Sequence, residues 1–225
     1  MTTTVRAAVG EFLGSAGLAA VVIGSGIAAQ RLSPTDVGLQ LFENAFATAL
    51  GVAVLILVFV TVSGSHFNPV VTLVDVVLGH RPTRILLSYL PAQILGCVAG
   101  AALANLMFEH PALELGTAER ATPAHLLAEV VATAGLVLVI FTLVRLGKVA
   151  VIPLAVAAYI GAAYFFTSST SFANPAITIG RMFTQTFAGI APASVPWFIG
   201  AQLVGGIVGF LVVVALVPRS TVPPS

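Results

Sequence analysis

Apolar residues in this chain come in long blocks, not in the three-to-four spacing of a surface helix or the alternation of a half-buried strand. Six blocks, roughly 6–30, 37–62, 84–107, 124–146, 149–168 and 193–217, reach the length of about 20 residues that a helix needs to cross a bilayer. Their Val, Leu, Ala and Gly content would also suit buried strands, but the block lengths predict helices. Two further apolar runs, about 68–80 and 174–187, are near half that length. Both begin with Asn-Pro.

Composition fixes the solvent. Hydrophobic residues make up 58% of the chain and charged residues 8%, against roughly 45–50% and about 25% in soluble domains. The chain therefore reads as an all-α, multi-pass membrane protein whose main surroundings are the lipid bilayer. The run after Arg6 faintly resembles a signal peptide, but it continues for a bilayer width and carries Glu11, so it reads as the first span. A formal charge of +1 argues against nucleic acid as a partner. The single Cys97 excludes an intrachain disulfide. His66, His80, His110 and His125 have no metal-ligand spacing, and no nucleophile constellation appears, so no metal, cofactor or enzyme activity is implied.

Six spans place both termini on one side. With that side cytoplasmic, the inner segments hold Arg6, Arg81, Arg84, Arg145, Lys148 and Arg219, and the outer ones Arg31, Arg120 and Arg181. This asymmetry satisfies the positive-inside rule and predicts a cell inner (plasma) membrane protein with cytoplasmic termini. Residues 218–225 read as a short disordered tail, and 1–225 as a single channel domain.

The two halves, about 5–107 and 121–217, repeat one another. "EFLGSAGL" from Glu11 matches "EVVATAGL" from Glu129; "SGSHFNPVVTL" from Ser63 matches "STSFANPAITI" from Ser169; "AQILGCVAG" from Ala92 matches "AQLVGGIVG" from Ala201. The order is the same in each half. Three spans per half is an odd number, so the second half enters the membrane from the opposite side, giving an inverted 3+3 repeat.

Asn is a favoured helix N-cap and Pro fits the first helical position. Asn68-Pro69-Val70 and Asn174-Pro175-Ala176 thus read as the starts of two re-entrant half-helices whose partly positive ends meet at mid-membrane. The segments before them must be irregular at membrane depth, which is tolerated only inside protein or along a water-filled cavity. Glu11 and Glu129, acids within spans, act either as a proton relay or as buttresses accepting hydrogen bonds from those loops. One symmetric copy per half, without an intramembrane Lys, favours the buttress.

With its paired Asn-Pro motifs and a Glu in spans one and four, the chain resembles the aquaporin family, the major intrinsic proteins. The resemblance covers nearly the whole chain. It implies a homotetramer with one pore per subunit, passing water or small neutral solutes. It also implies that Asn68 and Asn174 are central donors. Gly64, Ser65 and His66 would line one half of the pore through their carbonyls, and Thr170, Ser171 and Phe172 the other.

The chain departs from the family pattern at the outer constriction. Where an Arg usually stands, three residues after the second Asn, it has Ile177. The remaining filter positions correspond to Thr48, Ser171 and either Gly161 or Ala162, which implies a wide opening without a fixed cation. Arg181, one turn beyond Ile177, either reaches back as a displaced filter Arg or sits in the outer vestibule. Its counterpart Asp75 is expected to pair with Arg81 or Arg84, and Val70 to narrow or reorient the midplane. This filter, with "NPAITIGRMFTQTFAGIAP", resembles bacterial aquaglyceroporins associated with arsenic resistance. That subgroup implies solutes such as glycerol, boric acid and arsenous acid. Separately, two half-helix N-termini and two Asn amides place positive potential at the centre, so ions and protons are expected to be excluded. The alternatives are a strict water channel, a secondary transporter with inverted repeats and a junctional protein of the same fold.

Overall fold

A computed structural model describes residues 2–218; Met1 and residues 219–225 lie outside the described residues, and with them Arg219 and nearly all of the expected tail. The helices are α1 (Thr3–Leu32), α2 (Val37–Phe59), α3 (Pro69–Val77), α4 (Leu86–Met107), α5 (Pro123–Arg145), α6 (Ile152–Phe166), α7 (Pro175–Arg181) and α8 (Val195–Leu216). Six are long and apolar enough to cross a membrane once the 3₁₀ turns leading into α4, α6 and α8 are included. The order long, long, half-length, long occurs twice, as the repeat predicts.

Side chains start several of these helices. The Asp36 carboxylate caps α2 by accepting from the Leu39 amide at 2.9 Å, and the Thr122 hydroxyl caps α5 by accepting from the His125 amide at 3.2 Å. The second half-helix stops at Arg181, well short of 187. Its end is held by tertiary partners instead of further helix. The Met182 carbonyl accepts from the Gly116 amide at 2.9 Å, and the Phe183 carbonyl from Asn105 Nδ2 at 2.9 Å.

α1 packs along α4, α5 packs along α8, and α2 meets α6 across the halves. The α1–α4 and α5–α8 crossings use glycine at matching positions. A Cβ on Gly96 or Gly100 would lie 2.4 Å from the Phe12 carbonyl oxygen or 2.1 Å from that of Ala16. On Gly205 or Gly209 it would lie 2.6 Å from the carbonyl oxygen of Val130 or Ala134. These are the G-x-x-x-G steps inside the two repeated "AQ" stretches, and they let backbones approach closely where lipid offers no hydrophobic drive to pack helices.

The burial pattern inverts that of a soluble protein. Leu50, Val54, Leu57 and Val58 of α2 are exposed, as are Leu87, Leu154 and Leu216, while Glu11, Gln93, Glu129 and Gln202 are fully buried. Polar groups are concentrated between the helices, where the two half-helices lie.

Gly100→Ala forces a methyl into a backbone carbonyl, so it is expected to cost about 1–3 kcal/mol through overpacking and to lower the thermal midpoint in detergent. Gly200→Ala is the control, since a Cβ there meets nothing within 4 Å. Equal midpoints for the two variants would refute this account of the crossing.

Candidate pore

Each half-helix begins on an irregular loop with left-handed residues at matching places. Gly64, Ser65 and Phe67 have φ of 93°, 54° and 49°; Thr170, Ser171 and Ala173 have 63°, 52° and 49°. Non-glycine residues in this region cost on the order of 1–3 kcal/mol each and persist only when their surroundings hold them. The alternation turns successive amides to one side, and there a carboxylate receives them.

Glu11 accepts from Ser63 Oγ at 2.6 Å, the His66 amide at 3.0 Å, the Phe67 amide at 2.7 Å and Gln93 Nε2 at 2.7 Å. Glu129 accepts the same set in the other half: Ser169 Oγ at 2.6 Å, the Phe172 and Ala173 amides at 2.9 Å, and Gln202 Nε2 at 2.7 Å. Two further loop amides, of Ser65 and Ser171, donate to the hydroxyls of Ser63 and Ser169. The carbonyls of Gly64, Ser65, His66, Thr170, Ser171 and Phe172 receive no hydrogen bond from any described residue. One side of each loop is thus spent on the protein, while the other keeps free acceptors.

Gln93 and Gln202 tie each carboxylate to a half-helix. Their second N–H reaches Thr72 Oγ1 at 2.9 Å and Thr178 Oγ1 at 2.8 Å, and those hydroxyls donate to the carbonyls of Asn68 and Asn174. In the sequence these glutamines mark only the alignment of the two halves, and their presence at the same place in both is the one signal of a shared role.

Asn68 and Asn174 cap α3 and α7 through their side chains. Asn68 Oδ1 accepts from the Val70 amide at 2.9 Å, and Asn174 Oδ1 from the Ala176 amide at 2.9 Å and the Ile177 amide at 3.3 Å. Capping by Oδ1 turns each Nδ2 toward the other loop. Asn68 Nδ2 donates to the Ala173 carbonyl at 2.7 Å, and Asn174 Nδ2 to the Phe67 carbonyl at 2.8 Å. An amide nitrogen carries two hydrogens, so each Asn retains one donor.

That donor pair faces a continuous cavity of about 410 Å³. Toward the face that carries the chain termini it is lined by His66, Asp75, His80, Arg81, Val149 and Ile152, and toward the far face by Thr48, Tyr164, Ser171, Phe172, Ile177 and Arg181. Val52, Ile56, Leu136, Val156 and Ile160 form an apolar wall beside Asn68 and Asn174.

At the terminal-side mouth the Asp75 carboxylate lies 2.9 Å from His80 Nδ1, 3.4 Å from His66 Nε2 and 3.7 Å from Arg81 Nε. Arg81, not Arg84, is therefore its arginine partner, and two imidazoles join it. At the far end, Thr48 Oγ1 and the Tyr164 hydroxyl are hydrogen-bonded at 3.1 Å. Arg181 is 3% exposed, its Nε donates to the Ala188 carbonyl, and its guanidinium sits 3.4 Å from the Phe172 ring centroid. Outside the spans, burial draws the pKa of the Arg120 guanidinium below its ordinary value. Arg120 donates to the Gly189 and Phe187 carbonyls at 2.7 and 3.0 Å.

Several expected positions are corrected. Gly161 and Ala162 do not line the cavity: a Cβ on Gly161 would face Ala49 of α2, and Ala162 is exposed. α6 presents Ile160 and Tyr164 instead, one turn apart on the inward face. Counting back from Asn174 misplaced that register because the loop between α6 and α7 has no helical period. Thr170 is half-buried and off the cavity wall. Val70 does not narrow the midplane; it packs against α8, where Gly206 leaves room, since a Cβ there would fall 2.5 Å from Val70 Cγ1. Arg181 lines the cavity, so the far end has a fixed cation after all.

Glu11→Gln or Glu129→Gln turns an –NH₂ toward loop donors. Hydrogen bonds to charged groups contribute about 1.5–3 kcal/mol each, so either variant is expected to lower the thermal midpoint and to abolish solute flux in vesicles. Retention of both properties by both variants would argue against the buttress.

The model of the family described as "Major intrinsic protein" matches residues 1–172. The chain is 45% identical over 202 residues to the aquaglyceroporin AqpS of Rhizobium meliloti (strain 1021), covering 90% of this chain and 86% of that one. It is 29% identical to aquaporin Z of Brucella melitensis, over 93% of this chain and 96% of the relative. Among solved structures, the aquaglyceroporin from Plasmodium falciparum superposes with a TM-score of 0.72 at 21% identity, over 95% of this chain and 96% of that one, and so shares its fold. With two capped half-helices meeting between two carboxylate-held loops, and with these relatives, the chain belongs to the major intrinsic protein family, the aquaporins.

Proposed function

We propose that this chain is a passive channel for small uncharged polar solutes and water, one channel domain per subunit of a homotetramer. The observation that carries this reading is the single cavity running from Arg81 to Arg181 past both asparagines. Its wall supplies what a neutral hydroxylated solute needs in exchange for hydration: loop carbonyls as acceptors, two Asn donors, and an apolar side for the carbon skeleton. None of these binds tightly, which suits conduction. The name of the relative AqpS supports a glycerol-type solute. The stretch from Asn174 to Pro192 supports the subgroup associated with arsenic resistance, and hence neutral hydroxylated metalloids as further solutes.

Two helix N-termini and two asparagine donors at the centre place positive potential there, which opposes protons and cations. The excess of basic residues on one side supports cytoplasmic termini in a cell inner membrane. A strict water channel is the second reading, favoured by Tyr164 and Arg181 at the far constriction.

Stopped-flow light scattering on proteoliposomes separates the two. Vesicles with the wild-type chain should re-swell in glycerol much faster than protein-free vesicles, and take up arsenous acid. Ile177→Arg places a second guanidinium near the first and should cut glycerol entry by about tenfold or more. Fast water flux without glycerol entry would establish the strict water channel, and saturable uptake coupled to an ion gradient would point to a transporter.

A further inference from the structure

Asp75 of α3 is the one carboxylate on the cavity wall among the described residues, and the channel reading gives it no task. Three basic side chains compete for it at the terminal-side mouth: His80 Nδ1 at 2.9 Å, His66 Nε2 at 3.4 Å and Arg81 Nε at 3.7 Å. The shortest contact is to an imidazole and the longest to the guanidinium. α4 adds Tyr89, whose ring meets that of His66 edge to face at 5.5 Å and whose hydroxyl donates to the Ser63 carbonyl. Glu11 of α1 lies behind the loop, where it accepts the His66 amide. α5 and α6 line this end with Phe141, Val144 and Ile152, all apolar.

Arg81 is held loosely. Its second contact, from Nη2 to the Ser63 carbonyl, is 3.5 Å long, at the limit of a hydrogen bond, and its side chain is 40% exposed. The Ser63 carbonyl keeps the Tyr89 hydroxyl if Arg81 leaves, so no buried acceptor is orphaned. Gly64, at φ 93°, gives the room in which Arg81 and His66 meet: a Cβ there would fall 2.9 Å from Arg81 Nη2 and 3.5 Å from His66 Nε2. Both nitrogens of the nearly buried His66 face oxygen, Nε2 the Asp75 carboxylate and Nδ1 the Thr72 hydroxyl at 3.1 Å. That setting can hold a ring with a proton on each nitrogen. His80 rests against the Phe141 ring of the other half, with centroids 6.3 Å apart.

Histidine is the side chain whose charge changes between about pH 5 and 8. With both imidazoles neutral, Arg81 is the one full positive charge in contact with Asp75. Protonation sets three cations around one carboxylate, and like charges at close range repel. The most weakly held of them yields, and that is Arg81. We infer that this cluster is a proton-operated latch on the terminal-side mouth: Arg81 is kept there as the counter-ion of Asp75 until protonation of His66 and His80 replaces it and lets it swing into solvent. The mouth is then wider, and neutral solutes enter faster. The second half carries no such device, since Phe172 and Arg181 stand where His66 and Asp75 do.

This regulation rests on the channel reading above, and the test keeps the two apart. Glycerol re-swelling is followed in proteoliposomes buffered alike on both sides at about pH 8 or about pH 5, with protein-free vesicles as background. Wild-type chain should admit glycerol about threefold faster or more in the acid buffer. Arg81→Ala should be fast in both buffers, and the double variant His66→Phe with His80→Gln should be slow in both. His80→Gln alone keeps an N–H for Asp75 on a half-exposed side chain and should cut the acid response by about half or more; it carries the test if the double variant fails to fold. Equal or slower entry in acid by a wild-type chain that passes glycerol would overturn the latch. So would an undiminished acid response in the histidine variants, or Arg81→Ala entering no faster than wild type in the alkaline buffer. A wild-type chain that passes glycerol in neither buffer would overturn the channel reading, and the latch with it.

Discussion

A backbone that leaves the helix inside a bilayer has no water to satisfy its amides. Everything distinctive here follows from how two carboxylates meet that demand. Glu11 and Glu129 each collect two loop amides, a serine hydroxyl and a glutamine N–H. With those donors held by the carboxylates, the carbonyls of Gly64, Ser65, His66, Ser171 and Phe172, all residues that line the cavity, are left without a partner among the described residues. A carboxylate suits the task better than a neutral group because it only accepts, and four donors converge on it.

The same anchoring sets the half-helices. Each glutamine joins its carboxylate to a threonine in the first turn of α3 or α7, so the loop and the helix that follows form one unit. The two units then clasp through Asn68 and Asn174, each donating to the other loop. Because the capping oxygen is fixed by the helix, the remaining amide hydrogen has a set direction. Each Asn side chain is thus held twice, by the cap of its own half-helix and by the carbonyl of the other loop.

Where the halves differ, the pore acquires ends of different character. Val70 against Gly206 in one unit and Ala176 beside Cys97 in the other exchange bulk without touching the channel wall. Asp75 and Arg181 exchange charge and do touch it. The terminal-side mouth holds a carboxylate shared among basic side chains, and the far end of the cavity holds a guanidinium stacked on an aromatic ring. A symmetric scaffold therefore carries an asymmetric path.

The chain alone determined six spans, two half-length helices and the inverted order of the halves, and it singled out Asn68, Asn174, Glu11 and Glu129, which the structure ties to the two loops. These were legible because they depend on local rules, namely block length in lipid, Asn-Pro as a helix start, and the cost of an acid inside a membrane. The glutamine links and the glycine crossings were visible as repeated letters, but their use depends on contacts between helices distant in the chain. Tertiary structure alone decided which face of α6 lines the cavity, which basic groups reach Asp75, and that Arg181 lies along the cavity. Those outcomes turn on helix rotation and on where an irregular loop delivers the next helix. Neither has a periodic signature along the chain, so only packing against the other half could settle them.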